Sequence, residues 1–492
     1  MTVRKPSLLL LAAGFNLVLI QLLIVRELSI TLFCTELVVM LVTLGYFSGH
    51  LLGYALYHKV SERATRAWLI FSLLFHLPAV PAVRILSAWL AEHNHVGLAR
   101  VAVFLFCSLF LTSFYAIFLP RIIDSMEDRG VALAGAYRAE LAGGGMALLC
   151  GAVAGARFLE AAAVSYLFAL LVIGWSLKFS LRGLTFLAVL AGLVLARLPQ
   201  FDQYSSNYFY NHYYGWFEQA RVIHSEHTPY QKIEVVEERN GERYLYLNGL
   251  EYFGAGSLEL FNYYLSGVPG RIKPGARVLI VGSGSMSSLN HLAPSVSSIT
   301  TVEIDRRVAE VGREYFAEFN RLEELKVPWN LVIDDAKHYL ANTTETYDLI
   351  IVDIPAPYYL QTGMLFTREF YQLVEDRLSS GGLLSIYLPE FYIPGSEEGK
   401  IARPILAAVG VVFEEFLVIN ADDAERSFVL AGSPLKFELK GLLDAINHQG
   451  RRKFQLLSHG HEAVAEDLAG VEPASFNNLR VVWELTWWAA RQ

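Results

Sequence analysis

Only three of the 492 residues are cysteine, Cys34, Cys107 and Cys150, and all lie in apolar segments. Three thiols cannot staple a chain this long, which excludes a disulfide scaffold, and their spacing matches no zinc site. Charge is scarce as well: 18% of residues are charged against 54% hydrophobic, with a mean hydropathy of +0.36. Intrinsic disorder needs the opposite composition. At roughly 150 residues per domain the length would suit three soluble domains, but the scarcity of charge is local. Residues 1–200 hold 15 basic and 9 acidic side chains, whereas the remaining 292 hold 25 and 39. The second stretch is acidic and cannot neutralise phosphates, so nucleic acid is not an expected partner.

Crossing a hydrocarbon core takes about 20 apolar residues of helix, and the first 200 residues supply about seven such runs. They lie near 7–31, 33–57, 67–90, 98–119, 132–154, 158–177 and 183–199. The first is too long for a cleavable signal and is followed at once by another span. Polar residues inside spans face a bundle interior or a wet cavity. Gln21, Arg26, Glu27, Glu36 and His50 fit either a buried ion-pair network or a substrate cavity. Arg138 and Glu140 precede Gly143, Gly144 and Gly145, small residues that allow close helix approach, so packing is expected there. Basic residues mark alternate loops, among them Arg4, Lys59, Arg121 and Lys178, and an odd span count sets the polar half on the face opposite the N-terminus.

An aromatic stretch, Tyr204 to Trp216, reads as a linker that rests on the membrane interface or packs between domains. Gln231–Glu238 and Arg243–Leu247 flank Asn240-Gly241, a turn dipeptide that marks a β-hairpin. The linker and a small β-hairpin domain fill residues 201–270. Strand patterns follow at Arg277–Val281, Ser298–Ile304, Trp329–Ile333, Tyr347–Val352 and Leu383–Leu388, with helical patterns between them. That alternation implies a Rossmann-like parallel sheet over 271–435, with ligands at the carboxyl ends of its strands. Residues 436–492 form a helical tail whose Trp483–Trp488 segment is expected on the membrane interface or the bundle. The expected fold is therefore an N-terminal multi-span α-helical membrane bundle (1–200) joined to a C-terminal α/β Rossmann-like unit.

Three features at those carboxyl ends carry chemistry. Gly282-Ser283-Gly284-Ser285 ends the first strand, where glycines let backbone approach a ligand. Glu303 ends the second about 20 residues later, where a carboxylate accepts ribose hydroxyls. Asp334-Asp335-Ala336 ends the third, placed for an adenine amino group. A third glycine at the dinucleotide spacing is missing, so a nucleoside without pyrophosphate fits better than a nicotinamide cofactor.

These residues resemble the polyamine aminopropyltransferases, the spermidine synthase family, over roughly Tyr230 to Leu430. Tyr230-Gln231 resembles a tyrosine-glutamine pair of the family, Leu247-Asn248-Gly249 its Leu-Asp-Gly turn and Val302-Glu303-Ile304-Asp305 its second strand end. The most specific match is Tyr347–Asp353 followed by Leu365–Tyr371 and Gly381-Gly382. The resemblance implies decarboxylated S-adenosylmethionine as cofactor, an amine acceptor, and a membrane-fused bacterial form in the inner membrane with its catalytic half cytoplasmic. It further implies that Asp353 removes the amine proton and that Gln231, Glu303, Asp335 and Ala336 bind the nucleoside, together with Gly282, Gly284, Ser285 and Asp334.

Departures from the family pattern bear on the acceptor. Ser285 stands where the loop usually carries an aspartate, Ala356 where a second acid follows the catalytic one, and Phe261-Asn262-Tyr263 where a Tyr-His-Glu segment lies. A diamine cation needs paired carboxylates when buried, so putrescine is disfavoured. Tyr252, Asn262, Tyr263, Tyr358 and Tyr359 are expected to line an aromatic pocket for a small-molecule or lipid-linked acceptor. Two other readings stay open: methyl transfer from S-adenosylmethionine itself, and a non-enzymatic polyamine transporter or sensor built on Arg26, Glu27 and Glu36. No metal site is expected, and a homodimer is compatible with the family.

Overall fold

Long apolar runs become long helices. The computed structural model describes residues 3–32, 35–93, 105, 111–125, 129–154, 158–214, 219–254, 259–292, 295–397, 399–458 and 461–491. The chain divides into two units: Met1–Gly241 with Leu247–Leu250 and Ala490–Gln492, and Glu242–Tyr246 with Glu251–Ala489.

The first unit contains α1 (Pro6–Leu32), α2 (Thr35–Leu56), α3 (Glu62–Glu92), α4 (Phe118–Asp124), α5 (Arg129–Ala154), α6 (Phe158–Ser176) and α7 (Leu181–Tyr213). Serine caps start two of them: Ser61 Oγ accepts from Ala64 N at 3.1 Å and Ser180 Oγ from Gly183 N at 3.2 Å. These bonds satisfy amide groups that a helix start leaves open. Four helices, Pro6–Thr31, Leu37–Leu56, Glu62–Glu92 and Leu181–Tyr213, are long and apolar enough to cross a membrane. That is fewer than the seven expected runs. The run near 98–119 lies largely outside the described residues, α6 has only 19 residues, and Arg138, Glu140 and the glycines lower the apolarity of α5.

Pro78 and Pro81 sit inside an unbroken α3, and one expectation is corrected. The aromatic stretch after Tyr204 is no linker, because α7 continues through Pro199 to Tyr213. Rings one turn apart stack along it, Tyr208 on His212 at 4.1 Å and Phe209 on Tyr213 at 4.8 Å, pairs that stabilise a helix. The glycine expectation holds at Gly143, where a Cβ would fall 2.0 Å from Leu11 O, but not at Gly145, which has no neighbour within 4 Å; across the contact, a Cβ on Gly14 would fall 2.1 Å from Glu140 O. Only glycine permits α1 and α5 to lie this close.

Around Arg84 the buried charge of this unit is paired, whereas buried Glu140 forms no ion pair among the described residues. Arg84, fully buried, holds Glu27 through two bonds of 2.6 and 2.9 Å and Asp202 Oδ1 at 2.8 Å. The strands β1 (Arg221–His227) and β2 (Lys232–Glu237) pair antiparallel, and β2 extends the network. Lys232 Nζ lies 2.8 Å from Glu234 Oε1, and Tyr210 donates to Glu234 Oε2 at 2.8 Å. Arg26 Nη2 donates to Thr228 O at 2.8 Å in the turn between these strands. Of the polar span residues, Glu27 thus joins an ion-pair network, Arg26 bonds a turn carbonyl, and His50 bonds Tyr46 O in its own helix at 2.9 Å. The Glu36 side chain lies outside the described residues.

The strands β3 (Arg243–Leu247) and β4 (Leu250–Gly254) follow the Asn240-Gly241 turn, where Gly241 takes φ +86°. The second unit is built on an eight-stranded sheet of order β12-β10-β11-β9-β8-β5-β6-β7. Its parallel part comprises β5 (Arg277–Gly282), β6 (Ser298–Glu303), β7 (Trp329–Ile333), β8 (Tyr347–Asp353) and β9 (Leu378–Tyr387). Near-continuous apolar strands such as Val278–Val281 and Leu349–Val352 suit burial on both faces. Crossovers include α8 (Arg306–Phe316), α9 (Ala336–Asn342), α10 (Arg368–Glu375) and α11 (Ala402–Val412).

The sheet is mixed and extends past the expected end at 435. β10 (Glu415–Ala421), β11 (Arg426–Gly432) and β12 (Phe454–Ser458) add antiparallel, with α12 (Leu439–Ile446) in between. The tail is also corrected. Val481, Val482 and Leu485 of α13 (Arg480–Arg491) are buried in the apolar core beneath the sheet with Ile350 and Phe370, so the start of this helix packs inside its own unit.

Candidate functional site

The strand order reverses between β8 and β5, and a reversal opens a crevice at the carboxyl ends of the strands. There Gly282 pairs in register with Asp353. Gly282 has φ +88°, and a Cβ on it would fall 2.1 Å from Asp353 O. Ser283 N donates to Asp353 O at 2.9 Å and to Tyr252 Oη at 3.1 Å, and Tyr252 donates onward to Asp353 O at 3.2 Å. The loop therefore wraps the backbone of Asp353 and leaves its carboxyl group to other partners. A Cβ on Gly284 would sit 2.8 Å from Glu303 Oε2, and one on Gly312 of α8 2.4 Å from Gly284 O. Ser285 is buried, its Oγ 3.1 Å from Ser287 Oγ and its carbonyl accepting from Asn320 Nδ2 at 2.5 Å.

Two buried acids face this loop. Asp353 is 7% exposed; Ser288 Oγ lies 2.9 Å from its Oδ2 and 3.2 Å from Asn262 Oδ1. Burial pushes the Asp353 carboxyl above its ordinary range, and the Ser288 hydroxyl pulls the other way. Glu303 is 8% exposed and is pushed up to about 7, chiefly by burial, although the Asp305 amide donates to Oε1 at 2.9 Å. Neither acid forms an ion pair among the described residues. Burial, reinforced by the nearby Asp353 and Glu303, pushes the Tyr252 phenol up and keeps its proton on.

The third strand end is joined to the second, since Asp334 N donates to Glu303 O at 3.1 Å. Asp335 caps α9, with Oδ1 accepting from Lys337 N at 2.8 Å and His338 N at 3.3 Å, and Ala336 is buried as the first residue of that helix. The Asp334 carboxylate is engaged by His338 Nδ1 at 2.8 Å, which leaves it less suited to a ligand than its neighbour. Tyr358 is partly buried, and burial pushes its phenol up against the opposing charge of Arg426. Tyr359 heads the turn Leu360–Gly363, its amide donating to Thr362 Oγ1 at 3.3 Å.

Tyr263 departs from its expected role. Its hydroxyl is directed at Ala445 O (3.1 Å) and Ile446 O (2.8 Å), and Arg271 and Arg452 lie over its ring at 4.5 and 4.7 Å. A stacked phenol with a committed proton is packing, so Tyr263 does not line an acceptor pocket. Gln231 belongs to the first unit, where its amide donates to Thr228 Oγ1 at 3.1 Å in the β1–β2 turn. Sequence reasoning missed Ser288, Gly312 and Tyr387, whose buried hydroxyl donates to Ile354 O at 2.8 Å. No spacing marks a lone serine, but Gly312 on an otherwise charged helix was a readable sign of close approach. Among the described residues, no three His, Cys, Asp or Glu side chains are arranged to hold a metal ion.

Residues 260–390, which include the glycine loop and both buried acids, match the spermine/spermidine synthase domain. These residues lie in the second unit. The chain is 32% identical over 168 residues to the polyamine aminopropyltransferase of Clostridium beijerinckii, covering 33% of this chain and 58% of that one. The polyamine aminopropyltransferase of Pseudomonas syringae is 31% identical over 179 residues, 36% of this chain and 62% of the relative. The chain thus spans less than two thirds of the length of these curated relatives. Among solved structures, a spermidine synthase in complex with the transition state analogue AdoDATO aligns at 20% identity with a TM-score of 0.40, over 51% of this chain and 87% of that one. The spermidine synthase of Thermotoga maritima aligns at 22% identity with a TM-score of 0.38, over 45% and 77%.

Proposed function

We propose that the protein is a membrane-bound transferase that moves the aminopropyl group of decarboxylated S-adenosylmethionine to an amine acceptor other than putrescine. The observation that carries this reading is Asp353, a buried carboxyl beside the Gly282–Gly284 loop that has no cationic partner among the described residues. The loop and Glu303 fit a nucleoside: a Cβ at Gly284 would fall 2.8 Å from Glu303 Oε2, so glycine there leaves that oxygen open to ribose hydroxyls. The bound sulfonium supplies an electrophilic carbon and a neutral thioether leaving group. Asp353 would accept the proton of the attacking nitrogen, and its raised affinity for protons suits a general base. Ser288 holds that carboxylate in place.

The four long apolar helices of the same chain support a membrane setting and, with it, a lipid-linked acceptor. A second reading, methyl transfer from S-adenosylmethionine, is favoured by Ser285, because a loop without an acid does not repel the cofactor carboxylate. The test is to incubate the purified full-length protein with each cofactor form and either putrescine or extracted bacterial lipid, and to weigh the products. A propylamine mass increment on a lipid amine is expected. A methyl increment establishes the second reading, and turnover on putrescine alone contradicts the proposed acceptor.

A further inference from the structure

The synthase domain holds a second cavity of about 520 Å³ that none of Glu303, Asp335 or Asp353 lines. Its wall carries Arg271, Arg321, His291 and His448 against one carboxylate, Glu259. The size falls within the range of small-molecule sites.

Arg271 is held rigidly. Its Nε donates to Ala445 O at 3.3 Å and its guanidinium lies over the Tyr263 ring at 4.5 Å. Its Nη2 is buried and has no hydrogen-bond partner among the described residues. Arg452, which shares that ring, is answered by Asp423 at 3.6 Å; Arg271 forms no ion pair among the described residues. A buried charged donor without an acceptor is costly, and a planar fork fixed by stacking is suited to an oxyanion. Burial lowers the affinity of His291 for protons to about 4, with Glu259 opposing and Arg271 and Arg321 reinforcing the shift. The cavity therefore has a positive field from two guanidinium groups around a neutral imidazole.

We propose that this cavity binds a small organic anion bearing a carboxylate or phosphate group, with Arg271 as the anchoring fork and Arg321 as the second cation. Asn262 and Ser287 form part of the wall. Asn262 Oδ1 lies 3.2 Å from Ser288 Oγ, which lies 2.9 Å from Asp353 Oδ2. An occupant is thus separated from the buried acid by two short polar contacts. The proposal does not depend on the transferred group or on the acceptor.

The test is calorimetry on the full-length protein in detergent, with pyrophosphate in one arm and succinate in the other, and the NMR titration of His291 in parallel. Binding of at least one probe with a Kd below about 1 mM is expected, and the arm that binds identifies the ligand class. Binding should weaken about tenfold or more in Arg271→Gln and in Arg321→Gln. The second variant replaces an exposed side chain, so the test stands even if the first fails to fold. The His291 midpoint should rise on saturation, because a nearby anion favours the imidazolium. No binding of either probe, or binding equal in both variants with an unmoved His291 midpoint, would overturn the proposal.

Discussion

Two sites, the Arg84 network of the first unit and the Gly282 crevice of the second, treat buried charge in opposite ways. Around Arg84 in the first, acids and bases alternate at bonding distance: Glu27, Asp202, Lys232 and Glu234 all have an opposite charge within 4.0 Å. In the second, Asp353 and Glu303 are also buried, yet among the described residues they form no ion pair and are met by hydroxyl and amide groups instead. A buried ion pair settles the protonation of both partners and ties helices to one arrangement. An unpaired buried acid costs stability and holds its proton more tightly than usual, which suits proton transfer. The first pattern is architecture and the second is chemistry.

The comparison can be broken most forcefully at Asp353. Asp353→Asn keeps the shape and the Ser288 contact, and should lower transfer by 10²–10⁴-fold, the span of a general base, with the denaturation midpoint little changed. Next in size, Arg84→Met removes the ion-pair partner of buried Glu27 and leaves Asp202 only the more distant Lys232 at 3.9 Å. It should destabilise the detergent-solubilised protein by about 3–5 kcal/mol. The double variant Arg84→Met/Glu27→Leu should cost less than the sum of the two single changes, because the residues are coupled.

Glu303 gives a pH test with a definite sign. Burial pushes its carboxyl in the folded protein up to about 7, from an ordinary value of 4.5. Folding therefore favours the protonated form: the contribution to stability is full below pH 4.5 and is lost as pH rises towards 7, by about 3 kcal/mol at most. Glu303→Gln should remove that slope and stabilise the protein above pH 7. Ribose hydroxyls need the ionised form, so wild-type nucleoside affinity should fall as pH drops below 7, and the variant should bind weakly at every pH. Calorimetry from pH 5.5 to 8.5 checks both. The smallest effect is expected from Tyr252→Phe, which removes one hydroxyl from the Ser283 and Asp353 backbone, at about 1 kcal/mol by chemical denaturation.

Much of the second unit was legible in the sequence because parallel strands are short, apolar and punctuated. Gly282, Glu303, Asp335 and Asp353 end such strands, and chain order alone put them on one edge. Partners supplied from elsewhere in the sequence were not legible. Ser288 looks like any loop serine until the fold sets it beside Asp353, and Arg84 looks like a span-end cation until α3 packs against Glu27. Tyr263 misled for the same reason, since nothing local to it announces Ala445 or Arg452. Helix length was misjudged at Tyr204–Tyr213, where stacking at one-turn spacing outweighs a composition that reads as interface.

The assignment of unpaired buried acid to chemistry is tested most directly by measuring thioether nucleoside released from decarboxylated S-adenosylmethionine in the presence of bacterial lipid, with cofactor affinity measured alongside, for wild type and Asp353→Asn. Retained affinity with release lower by at least about 100-fold in the variant is the result this account predicts. Equal release from both proteins would contradict it.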